Sequence, residues 1–237
     1  MRGNEARTAL IEALIFDMDG LLVDSESLAE TAMHRFLSVH GVAMRPDVQA
    51  QLLGRRLPEA IALVADAYAL AAPREELIRS YDELRLSALR GHVKPMPGAA
   101  EIVAFGRDAG LRLALATSGM RHHADLSLTE TGLAGNFEVE VTGDDVERGK
   151  PAPDLFLLAA ARLEVEPASC VVFEDAPPGV VAAVAAGMRV VAVPNEKSRA
   201  MAFPVAADAV LPDLHAAIGW LRAHGIGGNG PAASSRA

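Results

Sequence analysis

Four short apolar runs punctuate the chain, at 13–16, 111–116, 170–173 and 190–193. None shows the strict alternation of apolar and polar positions that a strand with one wet face requires. Runs of this length and character fit strands buried on both faces of a parallel sheet. Helical patterns accompany them at 98–109, 151–162 and 178–186. Strands alternating with helices predict an α/β fold with a doubly wound parallel sheet.

Between the first strand and the helix at Gly98 the pattern changes. From about Ser25 to Arg90 it is helical throughout, with Leu28, Ala32, Phe36 and Val39 on one face, and Gly41, Pro46, Gly54, Pro58 and Pro73 mark its breaks. A helical stretch of this length after strand one predicts an inserted α-helical domain, with Lys94-Pro-Met-Pro-Gly98 as the return linker. The expected division is a core of 1–24 and 96–225, a helical insert of 25–95 and a flexible tail of 226–237, rich in Gly, Ser and Ala. A literal G-x-G-x-x-G at Gly225, Gly227 and Gly230 lacks a strand before it and a helix after it. It is rejected as a dinucleotide site.

Composition sharpens this picture in three ways. Of 237 residues, 51% are hydrophobic and 22% charged, enough for a true core, while aromatics at 4% leave Ala, Val, Leu and Met to build it. A single cysteine, Cys170, excludes an internal disulfide, and no apolar stretch reads as a signal peptide or membrane span, so the expectation is a soluble cytoplasmic protein. A net charge of -9 without any basic run argues against nucleic acid, and the expected state is a monomer.

The candidate chemistry falls at the ends of the predicted strands. Asp17 and Asp19 follow the first, Thr117 and Ser118 the second, and Glu174 and Asp175 the third. In open parallel sheets, ligands bind outside the carboxyl ends of the strands, so these residues should converge in one crevice. Four carboxylates there would repel one another unless a hard cation sat among them. Mg2+ fits, since it takes a few carboxylate oxygens at about 2.0–2.1 Å and keeps its other positions for water and phosphate. A carboxylate beside such an ion can attack phosphorus, and a second acid two residues on can protonate the leaving oxygen and later activate water. Thr117 and Lys150 supply the clamps that a transferring phosphoryl group needs.

Asp17-Met-Asp-Gly-Leu-Leu-Val-Asp24 resembles the first signature of haloacid dehalogenase (HAD) phosphotransferases, D-x-D-G-x-x-x-D. Leu115-Ala-Thr-Ser118, Gly149-Lys-Pro-Ala-Pro-Asp154 and Phe173-Glu-Asp-Ala-Pro-Pro-Gly179 resemble the second, third and fourth, in the family's order. The resemblance implies Asp17 as nucleophile and metal ligand, and Asp19 as acid/base, binding metal through its backbone carbonyl. It implies that Thr117, with Ser118 beside it, binds the phosphoryl group, that Lys150 neutralises charge, and that Asp175 with Glu174 completes the metal shell. It also implies that 25–95 is a mobile helical cap of the subfamily I kind. Similar glycine loops in the family enter the site from the cap, which makes Arg55 or Arg56 a candidate contact to the substrate; a solvated turn is the plainer reading.

The implied activity is a Mg2+-dependent phosphatase for a small phosphorylated metabolite, a sugar or nucleotide phosphate. Stretches around 15–22, 96–99, 114–118 and 172–176 are similar to the pseudouridine-5'-phosphatase type. The rival is a β-phosphoglucomutase-type isomerase. Such mutases carry a cap histidine where this chain has Ser25-Glu-Ser-Leu-Ala-Glu30, and a Lys-Asn pair where it has Met120-Arg121. Dehalogenation is disfavoured by Asp19, which the dehalogenase branch lacks. His122 and His123 read as exposed residues of a helix start, without a partner. Asp24 and Glu26 read as shaping the hinge, and Cys170 as inert in a buried strand.

Overall fold

The computed structural model describes residues 10–227 apart from 53 and 204. Six parallel strands form one sheet in the order β5-β4-β1-β6-β7-β8. They are β1 (Ala13–Phe16), β4 (Arg112–Ala116), β5 (Val139–Val141), β6 (Cys170–Glu174), β7 (Arg189–Ala192) and β8 (Ala209–Val210). Helices α5 (Ala99–Asp108), α6 (Arg121–Thr131), α7 (Asp154–Arg162), α8 (Pro177–Ala185) and α9 (Leu214–Ala223) accompany the strands. The central pairing sets Phe16 beside both Leu115 and Phe173, so β1, β4 and β6 end at one level. Their side chains divide into two apolar layers. Leu14, Phe16, Leu115 and Phe173 face α5 and α9, while Ala13, Ile15, Ala114 and Val172 face α7 and α8. The expected doubly wound α/β sheet is present.

The segment between β1 and α5 is helical, as its punctuation predicts. Helices α1 (Glu26–Val39), α2 (Pro46–Gln49), α3 (Leu57–Ala67) and α4 (Arg74–Leu89) carry their own apolar cluster, with Phe36, Leu37, Ile61, Val64 and Leu77 buried. Pro46, Pro58 and Pro73 stand at or beside helix starts, where a missing N–H is harmless. The chain leaves and re-enters the sheet layer through a two-stranded ribbon. Here β2 (Val23–Asp24) pairs antiparallel with β3 (Lys94–Pro95), in place of the plain linker the sequence suggests.

One other expectation needs correction. Ile226, assigned to the flexible tail, is buried in the layer that holds α9, because the turn after that helix folds the chain back onto it. Residues 228–237, the rest of the predicted tail and with it Gly230, lie outside the described residues. No helix among the described residues is long and apolar enough to cross a membrane.

Candidate active site

The carboxyl ends of β1, β4 and β6 open into a cavity of about 480 Å³ roofed by α1, the 49–57 segment and α4. Asp17, one residue past β1, is buried and is fixed to the sheet by its amide, which donates to the Phe173 carbonyl at 3.0 Å. The chain then makes a tight loop. Gly20 has φ +83°, and a β-carbon there would lie 2.7 Å from Asp175 Oδ2 and 2.5 Å from Asn195 Nδ2. Both the positive φ and the close approach require glycine.

Lys150 reaches the same point from the loop before α7. Its buried Nζ donates to Asp17 Oδ1 at 2.5 Å, Glu174 Oε1 at 2.7 Å and the Ala116 carbonyl at 3.1 Å. Glu174 Oε2 accepts from the Ala176 amide at 2.9 Å. Each Glu174 oxygen thus has a donor, and the residue holds Lys150 in place. Asp175 is buried, and its Oδ2 accepts from Asn195 Nδ2 at 2.8 Å.

Asp17, Glu174 and Asp175 offer oxygens within 4.8 Å of one another. Burial drives the Asp17 carboxyl up to about 8; Lys150 opposes this, and the charge of Glu174 adds to it. Burial, then Glu174 and Asp17, raise Asp175 well above the ordinary carboxylate range. One ammonium does not balance three buried carboxylates. An all-oxygen set that binds protons this strongly is suited to a small hard dication, so the residues fit Mg2+.

Asp19 points into the cavity from the same loop. Its Oδ1 accepts from Ser25 Oγ and, at 3.3 Å, from Arg85 Nη2; its Oδ2 lies 3.4 Å from Thr117 Oγ1, which donates to it. Ser25 stands at the start of α1, yet makes no side-chain cap to that helix because its hydroxyl is committed to Asp19. Thr117 is buried and also accepts from the Gly119 amide at 3.0 Å. Ser118 Oγ is buried and, among the described residues, unpaired; it lines the cavity.

All the strand-end residues named from the sequence therefore meet in one place. The two arginines of the insert separate. Arg55 lines the cavity, its Nε donating to the Gln51 carbonyl at 2.6 Å. Arg56 instead crosses to the sheet layer, donating to the carbonyls of Val146 at 2.7 Å and Glu147 at 2.6 Å, while pairing with Glu59. Leu53, the first residue of that loop motif, lies outside the described residues.

Three residues in or beside the cavity escape sequence reasoning. Asn195 follows β7 at the same sheet edge, a position that could have flagged it; its amide binds Asp175, Glu26 and the Gly20 carbonyl together. Glu26, read as a hinge residue, faces the cavity, and burial, eased by Lys197, raises it to about 7. Arg85 belongs to no motif. His122 and His123 also depart from expectation. His123 is fully buried, and both rings meet Asp82 of α4, because α4 packs across the start of α6.

Comparison with known proteins follows the same lines. The family model described as haloacid dehalogenase-like hydrolase matches residues 14–193. The phosphorylated carbohydrates phosphatase of Thermotoga maritima is 35% identical over 178 residues, 75% of this chain and 82% of that protein. CbbY from Rhodobacter sphaeroides, solved in complex with phosphate, superposes with a TM-score of 0.79 at 28% identity, covering 86% of this chain and 95% of that one. The β-phosphoglucomutase of Clostridium difficile shares the fold, with a TM-score of 0.77 at 20% identity over 87% of this chain and 93% of its own. With its motifs gathered at one sheet edge and a family match spanning β1 to the end of β7, the chain belongs to the haloacid dehalogenase-like hydrolases, as a phosphatase.

Proposed function

We propose that this protein is a Mg2+-dependent phosphatase that hydrolyses a small phosphorylated metabolite, a sugar or nucleotide phosphate, through an aspartyl-phosphate on Asp17. The observation that carries this reading is the Asp17 carboxylate itself, buried at a sheet edge, held by Lys150 and facing a cavity shared with Asp19. Asp17, Asp175 and the Asp19 carbonyl would hold the ion, with Glu174 adjoining. When bound, Mg2+ neutralises charge on the phosphoryl oxygens.

In the first step an Asp17 oxygen bonds to phosphorus as the ester P–O bond breaks, and the Asp19 carboxylic acid gives its proton to the departing alkoxide. In the second, the Asp19 carboxylate takes a proton from water, whose oxygen bonds to phosphorus while the bond to Asp17 breaks. Orthophosphate leaves and both carboxyls return to their starting forms. Thr117 and Ser118 supply hydrogen bonds to the phosphoryl oxygens, and Lys150, together with the bound ion, favours the ionised Asp17 carboxylate against its burial. Residues 25–95 act as the cap that excludes water before the first step. Arg55, at the cavity wall, is placed to meet the part of the substrate beyond the phosphate. The cavity volume suits a sugar or nucleoside phosphate.

Hydrolysis rather than isomerisation is favoured by the fate of Arg121. It sits where mutases carry part of their Lys-Asn pair, but here it is bound to Glu140 and Asp145 instead. The test is phosphate release from a panel of sugar, nucleotide and polyol phosphates, with and without Mg2+. Asp17→Asn should cut turnover by more than about a thousandfold with the fold intact, and chelation should abolish it reversibly. Glucose 1-phosphate turned over to glucose 6-phosphate without free phosphate would identify a mutase instead.

A further inference from the structure

A second group of metal-ligating side chains lies on the seam between the helical insert and the sheet layer, apart from the carboxylate cluster. Asp82 projects from α4, and His122 and His123 from the first turn of α6. His122 Nε2 hydrogen-bonds Asp82 Oδ1 at 2.8 Å. His123 Nε2 lies 2.8 Å from the same oxygen, yet among the described residues neither of its ring nitrogens meets a partner in hydrogen-bonding geometry. This ring is wholly buried. A buried polar group left unmet is costly and calls for an explanation.

We propose that Asp82, His122 and His123 form a site for a borderline divalent transition metal of the Zn2+ class, which clasps α4 to α6 and so holds the insert closed over the sheet. Two imidazoles and one carboxylate select such an ion over Mg2+, whose all-oxygen preference is met at the strand ends. Each residue offers a ligand atom, all within 4.8 Å of one another. Tetrahedral Zn2+ with bonds of about 2.0–2.1 Å spaces its ligands about 3.3 Å apart, so Asp82 has to withdraw from the rings by only about half an ångström. His122 is 41% exposed, which gives the ion an entry path and a place for a water as fourth ligand. The facing cation, Arg85, lies one turn along α4 and is paired with Asp19, which offsets its charge.

The clasp is independent of the phosphatase reading, because binding is read without substrate. The full chain, stripped of metal and then saturated with Mg2+, is titrated with Co2+ while the visible d–d absorption of a tetrahedral complex is followed. One equivalent should develop the band and Zn2+ should displace it. Asp82→Asn and His122→Gln, both at partly exposed positions, should weaken binding by more than about tenfold, and Asp175→Asn should leave it unchanged. No band, a band that survives both clasp variants, or one lost only in Asp175→Asn overturns the site. Under saturating Mg2+, one equivalent of Zn2+ should also slow turnover of the parent and spare His122→Gln. Equal inhibition of the two, or none in the parent, overturns the clasp.

Discussion

Lys150 is the residue on which the site turns. Its ammonium is buried between Asp17 and Glu174, and their charges hold its pKa above the ordinary lysine value in spite of that burial. Buried ion pairs of this kind contribute little net stability, since desolvation offsets their attraction. Their use here is chemical. The raised Asp17 and Asp175 carboxyls make both metal binding and stability depend on pH. The ligands must ionise to take metal, so binding expels protons, and apparent Mg2+ affinity should rise as pH climbs through about 8. Titration calorimetry in buffers of different ionisation enthalpy counts those protons. Without metal, the fold holds protons that the unfolded chain, with Asp near its ordinary 3.8, has already lost. Metal-free stability should therefore fall as pH climbs from about 4 through about 8. A metal-free Tm that rises across that window contradicts the assignment. The acidic residues themselves were legible in the sequence because each ends an apolar run. Their partner Arg85 was not, since nothing in a charged helical stretch marks which residue turns inward.

Among the elements, α8 shows how a helix start can be shaped by one side chain of the strand before it. Gly179 lies in its first turn, and a β-carbon there would stand 1.6 Å from Glu174 Oε1. Gly179→Ala should push that carboxylate off Lys150, destabilise the protein by about 1–3 kcal/mol and depress turnover more than substrate binding. Denaturant unfolding and the split between kcat and KM check this; a variant as active as its parent would show that Glu174 need not hold Lys150. Strands β1, β4 and β6 were readable because burial on both faces demands apolar residues throughout. The edge strand β5 was not: Val139-Glu140-Val141 is short and alternating, and Glu140 is spent on Arg121. β8, at the other edge, is two residues long. The insert's helices were legible from proline and glycine positions, but their docking was not. Asp82 and Arg85 share a helix face with partners in α6 and in the loop after β1, and only tertiary packing brings those together.

Across the whole molecule, the insert touches the sheet layer through separate polar links. Arg56 binds the Val146 and Glu147 carbonyls, Lys197 pairs with Glu30 at 2.5 Å, Asp82 meets the two histidines, and Arg85 reaches Asp19. Arg56 is the most telling of them. It grips the loop that leads into Lys150, and a β-carbon at Gly149 would lie 2.9 Å from its stem. Docking of the insert and placement of Lys150 are thereby coupled. Arg56→Met should lower kcat by about tenfold or more while leaving Mg2+ affinity unchanged, because the carboxylate cluster does not include it. Steady-state kinetics together with metal titration test this, and an unchanged kcat would make Arg56 a surface brace only.

The ribbon of β2 and β3 adds one more consequence. The polypeptide passes between its two layers twice, and both passages are paired side by side, with Asp24 opposite Lys94. Everything from 25 to 93 is in effect a long excursion from a single point of attachment. Neighbouring positions on paired strands stand only about 5 Å apart, a gap that a hairpin turn closes. That makes the excursion a module with one covalent doorway: a different roof grafted there keeps the floor's chemistry only if it again supplies the groups that Ser25, Arg56 and Arg85 now lend it.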